Sequence, residues 1–245
     1  MFCQKLLKII IGFIRLAPIL KFEIMKAIIY AFALLFFASC TFYSGNTDGL
    51  HKEIASASGT ATEDEKPVLK SGDIVFQNAQ SGQCKAIELA THSQYTHCGI
   101  IFWKNNKCYV LEAVQPVCYT LFDDWVERGL DKHYAAKRLK DQSILTDSIL
   151  TAMQKDGEKY LDKDYDIYFG WGNDKIYCSE LVWKIYKETT GLEIGELHKL
   201  KDFDLTSKEV KQIMKQRYGN DIPYDEQVVS PSNIYDSSLL ETVIE

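Results

Sequence analysis

Apolar residues fall along this chain in three rhythms. Residues 27–38 are an unbroken apolar run of twelve, ended by Ser39-Cys40. Residues 41–70 have almost no apolar pattern and are rich in Ser, Thr, Gly, Ala and charge. From Ser71 onward, short β-rich apolar runs alternate with helical stripes. A strand is expected over 73–76 after the Ser71-Gly72 turn, and a short helix over 82–91. Two apolar runs, 97–103 and 107–114, flank Lys104-Asn105-Asn106 and predict a hairpin. A helix is expected over 120–128, stopping at Gly129, then a strand over 133–139. Residues 143–160 predict an amphipathic helix with Leu145, Ile149, Ala152, Met153 and Tyr160 on one side. A further helix, 178–189, carries the stripe Cys178, Leu181, Val182 and Ile185 and is closed by Gly191. Thr206-Ser207-Lys208-Glu209 has the pattern of a capping box opening a helix that ends at Gly219. Ser230-Pro231 is a helix start with Pro at the first position. This order of elements predicts an α+β domain over 71–245, with no internal repeat.

The apolar run at 27–38 is too short for a bilayer-spanning helix, which needs about 20 residues, and suits the core of a signal peptide at roughly 7–15. It ends in Ala38-Ser39-Cys40, which resembles a bacterial lipobox with Phe37 standing where Leu is usual. Residues 1–40 are therefore a leader, with Cys40 the expected site of lipidation and the mature N-terminus. The other reading is a plain anchor with Cys40 an ordinary apolar residue. Residues 1–24 hold a second apolar run broken by Arg15 and Pro18, and Met25 is read as the true start. Residues 41–70 have the composition of a flexible linker. The expected location is the bacterial cell envelope, with the protein tethered to a membrane by its lipid.

Charge narrows the partners. The chain of 245 residues has 28 basic and 34 acidic residues; the first forty hold five of the former and one of the latter. The remainder carries 23 against 33, a net charge of −10. Such a body lacks the positive field that nucleic acid requires. Seven cysteines occur, at 3, 40, 84, 98, 108, 118 and 178, without a Cys-x-x-Cys and without His-Glu-x-x-His spacing among the five His. No metal site and no cofactor are expected on that pattern. Cys84, Cys98, Cys108 and Cys118 lie in apolar surroundings and suit the core.

Cys178 stands at a helix start, after a polar loop containing Gly170 and Gly172. Free N–H groups and the helix dipole there stabilise a thiolate and a developing oxyanion. Position alone leaves a core cysteine as the other reading. An even hairpin loop puts Gly99 opposite Glu112, so that His97 and Glu112 are diagonal neighbours on one face. That face is expected to turn toward the start of the Cys178 helix. A His and a Glu so placed suit a base and its orienting acid, or a buried polar pair without chemistry.

The segments Ser71-Gly72-Asp73-Ile74-Val75, Tyr95-Thr96-His97-Cys98-Gly99-Ile100-Ile101, Leu111-Glu112-Ala113, Tyr165-Asp166 and Tyr177-Cys178-Ser179-Glu180-Leu181-Val182 together resemble the YiiX/YaeF-type permuted papain-like amidases. This is the circularly permuted branch of the NlpC-like cysteine hydrolases. The resemblance implies a small antiparallel sheet or half-barrel packed against helices, the nucleophile helix among them. It implies Cys178 as nucleophile, His97 as base and Glu112 as orienting acid, in the order His, Glu, Cys along the chain. Tyr165 is a candidate for the substrate cleft, with core packing as the other reading. Cys98 stands where the family more often has an aliphatic residue, on the strand face away from His97, and is expected not to affect the chemistry. The implied activity is cleavage of an amide or peptide bond, in cell-wall peptide or another small acylated amide. Lipid acyltransferases and phospholipases on the same fold, and a non-catalytic envelope binding module, are the alternatives.

Overall fold

A computed structural model describes residues 68–245; the leader, Cys40 and most of the linker lie outside the described residues. Six strands form one antiparallel sheet: β1 (Ile74–Ala79), β2 (His97–Lys104), β3 (Lys107–Glu112), β4 (Cys118–Leu121), β5 (Gly129–Leu139) and β10 (Leu240–Ile244). Their order across the sheet is β10-β5-β1-β2-β3-β4. The helices are α1 (Gly82–Thr91), α2 (Phe122–Glu127), α3 (Asp147–Glu158), α4 (Cys178–Thr190), α5 (Lys208–Tyr218) and α6 (Pro231–Tyr235). Two short ladders, β6 (Asp164–Tyr165) with β7 (Lys175–Ile176) and β8 (His198–Lys199) with β9 (Gln227–Val228), tie the loops around α4. The expected α+β architecture is observed.

The hairpin turn is the two-residue Asn105-Asn106, both at positive φ (50° and 59°), as a type I′ turn requires. Trp103 pairs with Cys108, Ile101 with Val110 and Ile100 with Leu111, the even-loop register. One sheet face carries Ile74, Phe76, Cys98, Ile100, Phe102 and Leu111 and packs on Leu181, Val182 and Ile185 of α4 and Met153 of α3. The other carries Val75, Ile101, Val110 and Ala136 and is covered by Trp125 of α2. A third cluster joins α1 to α5 through Ala86, Val210 and Met214.

Several boundaries depart from the sequence pattern. The first residues of the 120–128 helix belong to β4, because the edge of β3 offers a ladder: Glu112 pairs with Cys118 and Val110 with Thr120. The 143–160 helix begins only at Asp147, where the Thr146 side chain accepts from the Ile149 N–H at 3.3 Å. Helix α5 is capped by Ser207, not Thr206, whose hydroxyl donates to Asp204 at 2.6 Å instead. Leu69, which composition places in the linker, packs in the second core cluster. The Ser71-Gly72-Asp73 turn is held by a buried ion pair. Arg138 donates to both oxygens of Asp73, at 2.7 and 2.6 Å, and the Lys70 N–H donates to one of them at 2.7 Å. Removing one partner of such a pair costs about 3–5 kcal/mol, because the other charge stays buried.

Candidate active site

Helix α4 begins at Cys178, so the N–H groups of its first turn have no intrahelical carbonyl to bond. The Glu180 carboxylate accepts from the Tyr177 N–H at 3.4 Å, and the Ser179 hydroxyl donates to the Val229 carbonyl at 2.7 Å. These contacts fix the entry to the helix on a buried floor. Lys184, one turn on, lies 2.7 Å from Glu180 and bonds the carbonyl of Gly172 and the side chain of Asn173, holding the loop that precedes Cys178.

His97 and Glu112 meet as the register requires. His97 Nε2 lies 2.6 Å from Glu112 Oε2, both side chains buried. Gly99 makes room: a Cβ there would stand 2.4 Å from Val110 Cγ1 and 3.3 Å from Glu112 Cβ. Thr120 and Arg128 donate to the other carboxylate oxygen of Glu112, and the Trp125 ring lies 6.4 Å from the imidazole. With Nε2 directed at Glu112, the second ring nitrogen is left for Cys178.

His97 reaches the start of α4 at Cys178, although the body of the helix does not cover the His97 face. Helix α4 packs on the opposite face, the one that carries Cys98, Ile100 and Phe102. Cys178 is the first residue of its helix and His97 the first of its strand. They meet at the end of the sheet, where side chains from both faces converge. The same geometry corrects the reading of Cys98, which is not remote from the chemistry. Its thiol and its backbone N–H both lie near enough to the Cys178 sulfur to lower that thiol's pKa.

The charges follow from these contacts. The Cys178 thiol is held well below the usual thiol range by the hydrogen bond from Cys98, against burial, with the hydrogen bond and charge of His97 and the Cys98 N–H adding to it. Burial opposes the charged form of His97, but hydrogen bonds and negative charge from Cys178 and Glu112 outweigh it and raise the imidazole to about 10. Burial pushes the Glu112 carboxyl up, and the opposing hydrogen bonds and charges of His97, Thr120 and Arg128 bring it below the usual carboxylate value. These shifts favour a thiolate–imidazolium pair backed by a carboxylate. Burial, and then the negative Cys178, push the Cys98 thiol well above its ordinary value, so the proton of that contact stays on Cys98.

Tyr165 is placed beside this sulfur by the β6–β7 ladder, in which it pairs with Ile176, two residues before Cys178. Its hydroxyl accepts from Gln83 at 3.0 Å and lies within hydrogen-bonding reach of Cys178. Both line a cleft of about 730 Å³, open mouth included, which runs between α1 and α5. Its walls are apolar: Ala86, Ile87 and Ala90 on one side, Val210, Ile213 and Met214 on the other.

A family model described as permuted papain-like amidase enzyme, YaeF/YiiX, C92 family, matches residues 68–244. The chain belongs to this amidase family. It is 43% identical over 174 residues, 71% of this chain and 85% of the relative, to the uncharacterized protein YiiX of Escherichia coli K12. The crystal structure of a protein described as metalloprotein yiiX, from Escherichia coli O157:H7, superposes with a TM-score of 0.69 at 42% identity. That match covers 74% of this chain and 98% of that one. The permuted papain-like fold of the family is therefore the fold of residues 68–244.

The sequence pattern does not single out Thr120, Arg128 or Gln83. Thr120 has a usable signal: read as strand, it shares the face of Val110 and hence of Glu112. A helix over 120–128 hides that. Arg128 and Gln83 carry no local signal, since only folding brings them to the site.

Proposed function

We propose that this protein cleaves an amide bond by covalent catalysis, with Cys178 as nucleophile, His97 as its acid–base partner and Glu112 as the orienting carboxylate. The observation that carries this reading is the buried imidazole held between the Cys178 sulfur and the Glu112 carboxylate. The thiolate attacks the carbonyl carbon, and the N–H groups at the start of α4 stabilise the oxyanion. The His97 imidazolium gives its proton to the leaving amine as the C–N bond breaks, forming the acyl-enzyme and the free amine. Neutral His97 then deprotonates a water, which attacks the thioester and releases the acid and the thiolate. Tyr165 lines the cleft beside the sulfur.

The E. coli O157:H7 relative is described as a metalloprotein. Among the described residues no three His, Cys, Asp or Glu side chains gather as ligands. No step is derived through a metal.

The substrate is proposed to be a cell-wall peptide or another small acylated amide. The apolar cleft favours a second reading, an ester or acyl-transfer reaction on a lipid. Incubation of the purified protein with peptidoglycan fragments, N-acyl amides and phospholipids, with products read by mass, tests both. Iodoacetamide at mildly acidic pH is expected to modify Cys178 before Cys84, Cys98, Cys108 or Cys118, as peptide mass mapping over time would read out. Cys98 and Cys108 have thiols pushed upward by burial, the latter to about 11. Slower reaction at Cys178 than at those four would favour a binding module over an enzyme.

Residence in the cell envelope on a lipid at Cys40 is proposed from the leader alone. Labelled palmitate is expected to enter the wild-type protein and not Cys40→Ala. Equal labelling, or none in either, would leave a plain anchor.

A further inference from the structure

Three donors converge on Glu112, a carboxylate with no exposed surface. Oε2 faces His97 Nε2 at 2.6 Å, and Oε1 accepts from both the Thr120 hydroxyl and the Arg128 guanidinium. A carboxylate held by one oxygen alone can turn about its last bond. Held by both, it fixes the plane in which the imidazole must lie. The Thr120 hydroxyl commits its single proton to Glu112, because an ionised carboxylate has none to give. Its oxygen is then left to accept from the Cys118 thiol, 3.6 Å away.

Both donors on Oε1 come from elements that supply no member of the proposed triad. Thr120 lies on β4, opposite Val110 of β3, and Glu112 itself pairs with Cys118. Arg128 follows the last turn of α2, where its N–H donates to the Trp125 carbonyl at 3.2 Å. Gly129 lets that turn close on the sheet: a Cβ there would stand 2.5 Å from the Gln77 side-chain oxygen, and Gln77 pairs with His97. The guanidinium is 44% exposed, so water screens it from distant charges. The carboxylate it touches is wholly buried, and that contact is screened far less. Burial pushes the Glu112 carboxyl up, and His97, Thr120 and Arg128 together bring it back down.

We infer that Thr120 and Arg128 are positioning residues, which pin one oxygen of Glu112 so that the other holds the His97 ring in the orientation its base step needs. This rests on the proposed reading of Cys178, His97 and Glu112 and deepens it: β4 and the end of α2 form the rear wall of the site. An ion pair that only ties α2 to β3 predicts a change in stability and none in the behaviour of His97.

p-Nitrophenyl acetate, whose leaving group needs no proton, separates the two half-reactions. The Cys178 thiolate attacks the ester carbonyl, expels p-nitrophenolate and forms the acetyl-enzyme. His97, its imidazolium having lost a proton to solvent, then deprotonates the water that releases acetic acid and the thiolate. Thr120→Val and Arg128→Gln are expected to keep the burst of p-nitrophenolate and the acetyl group on Cys178, read by mass, but to slow its release at least about tenfold. By NMR the Glu112 carboxyl should titrate at least about half a pH unit higher in either variant, since a donor or a cation that favours the anion is gone. The downfield His97 ring N–H signal should broaden with it. Arg128→Lys should recover part of the release rate, and Thr120→Ser nearly all of it. Release at the wild-type rate in both variants, with the Glu112 titration unmoved, would overturn the inference and leave Cys178 and His97 as proposed. A loss that Thr120→Ser and Arg128→Lys do not relieve, or that merely tracks a fall in thermal midpoint, overturns it too, because packing then explains the effect. If the wild type forms no acetyl-enzyme at Cys178, the nucleophile reading fails first and takes the inference with it.

Discussion

Cys178→Ser is expected to lower turnover by at least about 10⁴-fold while leaving the thermal midpoint within a few degrees of wild type. A hydroxyl of similar size replaces the thiol, so packing under α4 is little disturbed. What is lost is a nucleophile already ionised at neutral pH, and removing one member of a unit that acts together costs most of the covalent pathway. A second readout separates this from misfolding. The His97 imidazole stands at about 10 because the ionised sulfur and Glu112 outweigh its burial. Without the sulfur the negative charge of residue 178 vanishes, and the imidazole should titrate below 10 by NMR. A Cys178→Ser protein that retains more than a hundredth of wild-type turnover would refute the nucleophile assignment.

Glu112→Gln is expected to lower kcat by about 10²–10⁴-fold, in the range for a disabled acid–base partner. The charge logic fixes a direction for the pH profile as well. In the wild type, activity needs the thiolate and the protonated imidazole, so the alkaline limb should follow His97 and fall near pH 10. The amide keeps an acceptor for the imidazole but carries no charge. Burial, which opposes the imidazolium, then loses its main counterweight on that side. Arg128 would also remain with its carboxylate partner gone, adding a like charge near the ring. The alkaline limb should therefore move to lower pH in the variant. An unmoved limb, measured on kcat/KM with the fold verified by circular dichroism, would mean that Glu112 buttresses β3 and does not tune His97.

Some of this site is legible before folding. Parity along two strands joined by an even turn is a local property. The register of the hairpin, the shared face of His97 and Glu112 and the need for Gly99 between them can thus be read from residues 97–114. The start of α4 at Cys178 is also local, since an apolar stripe after a Gly-containing polar loop marks a helix entry. The α+β class follows from the alternation of β-rich runs with helical stripes.

Three things are decided only by tertiary packing. Which sheet face receives α4 is set by the apolar surface that β1, β2 and β3 assemble together, and no single strand carries that information. For this reason Cys98, although directed away from His97, comes to lie beside the Cys178 sulfur. The strand character of residues 118–121 is hidden because a peptide with mixed propensity takes the structure that a neighbouring edge offers. The clamp of Thr120 and Arg128 on Glu112 is hidden with it. The cleft is the third case. Gln83, Tyr165 and Cys178 come from segments far apart in the chain, and they meet only because α1 and α5 pack beside the start of α4. Sequence determined the chemistry available at each position. Folding decided which of those groups share one low-dielectric space, where their charges act on one another strongly enough to lower the Cys178 thiol.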